Sequence, residues 1–195
     1  MFKVSCIQIC SGRDIKKNFD VLKKLILKAI KQESDFIITP ETTSLFGLNK
    51  KQLLQATTSM NKDIYLNNVR EIAKSNKKWI LTSIVTKEKK KIKNRSILIN
   101  PKGLIQAYYD KIHMYDVTLS TKEKYFESQI FTAGKSLKVV NLPWGKLGMS
   151  ICYDVRFPNM FRKLSQKGSI FISVPSAFTD TTGKKHWHSL LKARA

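Results

Sequence analysis

Apolar and polar residues alternate along Phe2-Lys-Val-Ser-Cys-Ile-Gln-Ile9, and this period of two predicts a half-buried strand at the start of the chain. The period then changes. Ile15, Phe19, Leu22, Ile26 and Ile30 recur about every 3.6 residues behind Asp14, whose side chain suits an N-cap, so a helix is predicted there. Phe36 to Thr39 is a short apolar run, read as a buried strand that Glu41 closes, and residues 42–51 read as a polar loop. Ile64, Val69, Ile72 and Ala73 mark a second amphipathic helix, and Trp79 to Val85 a third strand. The order β-α-β-α-β is that of helices packed on a sheet.

The second half favours hairpins. Lys87 to Lys93 lies between two strand-like runs and reads as a solvated hairpin tip. Ser96-Ile-Leu-Ile99 and Leu104 to Tyr109 flank Asn100-Pro-Lys-Gly103, where proline second and glycine fourth suit a tight turn. Residues 118–134 show no clear period and read as a loop. Leu137 to Leu142 and Lys146 to Ile151 form a further hairpin around Pro143-Trp-Gly145. Pro158 opens a helix to about Gln166 that Gly168 ends, and Ile170 to Val174 is the last buried strand. Trp187, Leu190, Leu191 and Arg194 then recur at helical spacing from Lys184 to Ala195. That helix stops while still amphipathic, which reads as an interrupted element. The expectation is one mixed α/β domain over residues 1–195.

Composition narrows the class. At 195 residues and 42% hydrophobic, the chain can bury one sizeable core. No apolar run approaches the ~20 residues of a membrane span. The N-terminus lacks the apolar block and cleavage site of a signal peptide. Cys6, Cys10 and Cys152 form no CxxC pair, which argues against a disulfide framework or a zinc site and for a reducing cytoplasm. The net charge of +22 invites a nucleic-acid reading. Yet the excess is mostly lysine, spread over nearly every segment and not interleaved with stacking aromatics. A lysine-biased surface that attracts a small anionic substrate fits the pattern better.

The chemistry gathers at the ends of three separate runs. Leu147-Gly-Met-Ser-Ile-Cys152 ends in a thiol, followed at once by Tyr-Asp-Val-Arg-Phe-Pro158. Charged groups flank this turn, and a nearby lysine or arginine, with the dipole of the helix predicted after it, would favour the reactive thiolate. Cys6 and Cys10, in the first strand, read instead as small buried hydrophobes. Glu41 supplies a carboxyl group able to take the thiol's proton and later protonate departing ammonia. Lys111, which closes Leu104 to Asp110, offers an ammonium to a tetrahedral oxyanion, beside the backbone N–H of Tyr153.

Together these residues resemble the nitrilase, or carbon–nitrogen hydrolase, superfamily, whose Glu-Lys-Cys triad matches Pro40-Glu41, Lys111-Ile-His-Met-Tyr-Asp-Val117 and Cys152 to Pro158. The resemblance implies a four-layer αββα sandwich, a homodimer, and no metal or other cofactor. It also implies a second active-site glutamate at Glu127, in Lys-Tyr-Phe-Glu-Ser, which would orient Lys111 and the substrate. Val174 to Gly183, His186-Trp187 and Leu190 to Ala195 resemble the Nit-type branch of ω-amidases and deaminated-glutathione amidases. In that branch Arg156 and Thr182 match positions that hold the substrate carboxylate, and Ser176 and Ala177 fall in the substrate-binding segment. Arg156 has a plainer alternative as a salt-bridge partner of Asp154. His186 and His188 suit helix packing better than a metal pair.

The expected activity is a thiol-dependent release of ammonia from a small anionic carboxamide with an α-keto acid end, deaminated glutathione first and α-ketoglutaramate second. Family members continue past the Ala-Arg-Ala segment with further strands. An N-carbamoyl or nitrile hydrolase, an inactive truncated interaction module and a polycationic nucleic-acid binder are the competing readings.

Overall fold

A computed structural model describes residues 2–195. Strand β1 (Val4–Cys6), helix α1 (Ile15–Lys31), strand β2 (Phe36–Ile38), helix α2 (Lys50–Ala56), helix α3 (Ile64–Asn76) and strand β3 (Trp79–Glu88) make the first half. Strands β4 (Lys91–Ile99) and β5 (Ile105–Asp110) complete a sheet of order β1-β2-β3-β4-β5. Its first three strands are parallel, because helices cross between them, and the last three antiparallel, because tight turns join them. Asp14 caps α1 by accepting from the Lys17 N–H at 3.1 Å. Gly103, at φ 73°, closes the β4–β5 turn against the Arg70 backbone.

Strands β6 (Asp116–Thr118) and β7 (Lys124–Phe126) form a small hairpin. Strands β8 (Lys138–Leu142), β9 (Gly145–Met149) and β10 (Phe171–Ser173) make a second sheet of order β10-β9-β8, with helix α4 (Pro158–Gln166) between β9 and β10. Helix α5 (Asp180–Arg194) follows. Two cores define the layers. Ile37, Ile80, Ile84, Ile97 and Ile99 of the large sheet pack on Leu22 and Ile26 of α1 and on Leu66, Val69 and Ala73 of α3. On the other face, Phe36, Leu81, Leu98 and Tyr109 meet Val140, Leu147 and Met149 of the second sheet, with Met160, Phe161 and Leu164 of α4. The architecture is α/β, layered α-β-β-α. Among the described residues, no helix is long and apolar enough to cross a membrane.

Several expectations need correction. Residues 42–51 are not all loop: Asn49 and Gln52 form a capping box that starts α2, and Leu53 is its buried residue. So short a helix shows no stripe. Residues 118–134 hold the β6–β7 hairpin, whose two three-residue strands are too brief to display a period. Helix α5 begins at Asp180, capped by Thr179, four residues before the first predicted position. Cys6 and Cys10 are exposed, not core: β1 is an edge strand of three residues, and Cys10 lies beyond its end.

Candidate active site

The face between the two sheets changes character along its length. On β3 it passes from Leu81 to Ser83, on β4 from Leu98 through Ser96 to Asn94, and from Tyr109 of β5 to Lys111 just past its end. At that polar end a cavity of about 410 Å³ opens beyond the carboxyl ends of the parallel strands. Glu41, Lys111, Glu127, Cys152 and Tyr153 all line it.

Glu41 reaches the cavity from a buried turn three residues past β2. The Thr39 N–H donates to the Leu81 carbonyl at 2.9 Å, and the Thr43 hydroxyl to the Pro40 carbonyl at 2.5 Å. Beneath them, Thr39, Thr82 and Tyr65 form a buried hydroxyl chain. The carboxyl group is fully engaged. Its Oε1 accepts from Lys111 Nζ and Asn94 Nδ2, each at 2.8 Å, and its Oε2 accepts from the Ala177 N–H at 2.9 Å. Burial alone would raise its pKa, but the Lys111 ammonium, with hydrogen bonds from Lys111, Cys152 and Asn94, holds it below the ordinary value.

Lys111 is 2% exposed and sits between two carboxyl groups. Its Nζ lies 2.8 Å from Glu41 Oε1, and 3.0 and 2.8 Å from the two Glu127 oxygens. Desolvation works against the ammonium, yet Glu41, Cys152 and Glu127 outweigh it and raise the pKa. Three donors thus meet three acceptors, so Lys111 offers a bound oxyanion its charge before any hydrogen bond. Glu127 is fixed in turn by the Tyr115 N–H at 2.7 Å.

Cys152 leads a 3-10 turn, Cys152–Arg156, that follows β9. Its φ of 45° is costly for a residue with a Cβ, and its N–H is anchored to the Pro175 carbonyl at 2.9 Å. Its thiol is not the ready thiolate that the flanking charges suggested. Burial raises its pKa well above 9.0, Glu41 adds to this, and Lys111 and the Ala177 N–H compensate only in part. Helix α4 starts at Pro158, as expected, six residues past the thiol. The resting pair is a neutral thiol beside an ionised Glu41. Among the described residues, the Tyr153 N–H donates to no protein group.

Asp154, wholly buried, clamps the cysteine turn to the end of β5. One oxygen accepts from the Tyr109 hydroxyl at 2.7 Å and the Ile151 N–H at 2.9 Å. The other accepts from the His113 N–H at 3.1 Å and lies 2.7 Å from His113 Nδ1. The alternative pairing of Arg156 with Asp154 is therefore overturned. Arg156 Nη2 instead lies 3.1 Å from His186 Nδ1, with its guanidinium 5.8 Å from the Tyr153 and Phe178 rings.

The remaining candidates divide. Thr182 and Ala177 line the cavity; Arg156 and Ser176 do not. Thr182 bonds the Thr179 hydroxyl at 2.7 Å, the Ala177 N–H is spent on Glu41, and Ser176 Oγ donates to the Val174 carbonyl at 3.0 Å. Asn94, Tyr115 and Asp154 carry structural weight here that sequence reasoning did not find. Only the inward phase of Asn94 on β4 hinted at it. Among the described residues, no three His, Cys, Asp or Glu side chains gather to hold a metal.

The family model described as "Carbon-nitrogen hydrolase" matches residues 3–195. The chain is 36% identical over 197 residues to a deaminated glutathione amidase of Yersinia enterocolitica, covering 98% of the chain and 68% of that relative. It is 33% identical to another of that name from Synechocystis sp., covering all of the chain and 73% of the relative. The crystal structure of the C. elegans NitFhit protein superposes with a TM-score of 0.90 at 33% identity, over 99% of the chain and 48% of that protein.

Proposed function

This chain belongs to the carbon–nitrogen hydrolase family, in its Nit-type branch, and from that premise we propose that it is a thiol amidohydrolase acting on a small anionic carboxamide. The observation that carries the reading is the shared Glu41–Lys111–Glu127 ion-pair cluster at the mouth of the Cys152 turn. In this mechanism Glu41 takes the proton of the Cys152 thiol as the sulfur attacks the carboxamide carbon. The transfer is concerted with attack, because burial disfavours a free thiolate. The Tyr153 N–H and the Lys111 charge stabilise the tetrahedral oxyanion. Glu41 then returns its proton to the departing nitrogen, the C–N bond breaks, and ammonia leaves a thioester on Cys152. Water enters, Glu41 removes its proton, and attack on the thioester carbon releases a carboxylic acid and restores the thiol. Asn94 and the Ala177 N–H hold Glu41 through both halves.

Deaminated glutathione is the substrate this reading favours, since relatives of that name match nearly the whole chain. α-Ketoglutaramate comes second. Ammonia release over a panel of these two amides, an N-carbamoyl compound and a nitrile tests the proposal. Wild type is expected to favour the keto-acid amides and Cys152→Ala to release none. Undiminished turnover in Cys152→Ala overturns it, as does a preference for the nitrile.

A further inference from the structure

The segment that carries Glu41 is an arch with both feet on β3. The Thr39 N–H donates to the Leu81 carbonyl at 2.9 Å, and the Ser44 N–H to the Ser83 carbonyl at 3.3 Å. The crown is strained, because Thr42, a β-branched residue, holds φ at 49°. Backbone of that kind persists only where its surroundings fix it, and Pro40 has no N–H to contribute. The support comes from the helix side of the sheet, opposite the cavity. Thr43 Oγ1 donates to the Pro40 carbonyl at 2.5 Å and lies 2.9 Å from Thr39 Oγ1. Thr39 Oγ1 donates to Thr82 Oγ1 at 3.2 Å, which in turn lies 3.0 Å from the Tyr65 hydroxyl of α3. All four residues are buried, and Thr82 stands between Ile80 and Ile84 of the helix-side core. Valine would fill the three threonine positions without needing a partner, whereas a buried hydroxyl is tolerated only when bonded.

We propose that Tyr65, Thr82, Thr39 and Thr43 are positioning residues, whose hydroxyl column braces the strained arch and so aims the Glu41 carboxyl group at the Cys152 sulfur. None of the four lines the cavity, so their effect on the reaction passes through Glu41. The column ends on the carbonyl of the peptide unit that joins Pro40 to Glu41, one bond from the residue it steers. The bonds of the Glu41 carboxyl group to Lys111, Asn94 and Ala177 then act on a side chain whose backbone is already fixed. The inference rests on the amidase reading for the reaction, but the aim of Glu41 at the thiol is measurable without it.

Thr43→Val and Tyr65→Phe each delete one hydroxyl, at opposite ends of the column, and keep the shape of the side chain. For ammonia release from α-ketoglutaramate, kcat per folded protein is expected to fall about tenfold in Thr43→Val and about threefold in Tyr65→Phe, since a misplacement of about 1 Å can cost about a hundredfold. KM is expected to stay within about twofold, the mark of a loss confined to the reacting step. Thr43→Ser, which retains the hydroxyl, should keep most of kcat. The second readout needs no substrate: iodoacetamide labelling of Cys152 against pH, followed on its own peptide apart from Cys6 and Cys10. Burial and then the Glu41 charge raise the thiol's pKa, so a carboxyl group turned away lets Cys152 label at lower pH in Thr43→Val than in wild type. A labelling profile that does not move overturns the inference, as does a loss of kcat that Thr43→Ser shares in full. Should Thr43→Val fail to fold, the same readings on Tyr65→Phe decide. Should wild type release no ammonia while the profile still moves, the amidase reading fails and the brace stands.

Discussion

Lys111 joins two carboxyl groups at 2.8 Å in a site it shares with a neutral thiol, and most of the site's behaviour follows from that contact. Removing it leaves Glu41 and Glu127 buried without their counter-ion. Lys111→Met is expected to lower stability by about 3–5 kcal/mol in denaturant unfolding and to abolish ammonia release. A stability within about 1 kcal/mol of wild type would show that the cluster is not the ion pair described. The pH response follows from the same residues. Folding lowers the Glu41 pKa, so its contribution to stability is present above its ordinary 4.5 and fades as pH falls through the folded value. Folding raises the Cys152 pKa above 9.0, so the unfolded chain ionises first as pH rises past 9.0 and stability declines there. Lys111, raised above 10.5, keeps its contribution to still higher pH. Between these edges the reactive state is constant. The profile of kcat/KM is expected to stay flat from about pH 5.5 to 8.5. A rise with an apparent pKa near 8 would mean that the thiol titrates as an independent group.

At the scale of elements, three segments far apart in sequence must end at one place, and two contacts register them. Gly134 sits against the Asp110 backbone, and its N–H donates to the Lys111 carbonyl at 2.7 Å. A Cβ there collides with the carbonyl of Asp110. Gly134→Ala is expected to cost about 1–3 kcal/mol in thermal unfolding and to slow turnover by displacing Lys111; unchanged stability would contradict the packing. Asp154 is the second clamp, and Tyr109→Phe removes one of its four bonds at a cost of about 1–2 kcal/mol. The sequence showed the long elements well. Asp14 and the Ile15-to-Ile30 stripe announce α1, and Pro158 and Gly168 bound α4, because capping and period are local physics. The β6–β7 hairpin and α2 were illegible because each is shorter than two periods of its pattern. Glu41, Lys111 and Cys152 were legible as strand-end residues and as parts of a family pattern. Asn94 was not, since a buried asparagine's worth lies in partners 53 residues away. The thiol's raised pKa was missed for the same reason: flanking charge is visible in sequence and desolvation is not.

The whole molecule carries a charge of +22, and its active cavity opens into that field. Long-range attraction of anions is screened within roughly 8 Å at physiological ionic strength. Added salt is therefore expected to lower kcat/KM for an anionic amide more steeply than for a neutral one, in parallel steady-state assays. Identical salt responses would mean that the surface charge plays no part in capture. The layered architecture brings three strand ends to the polar margin between two sheets, where the proposed acyl transfer to sulfur would take place. The direct measurement is the intact mass of the protein after acid quenching in the presence of deaminated glutathione. The account predicts an adduct equal to the substrate less ammonia, confined to the peptide bearing Cys152 and absent from Cys152→Ala. Ammonia release with no such adduct, or with the adduct on another residue, would contradict it.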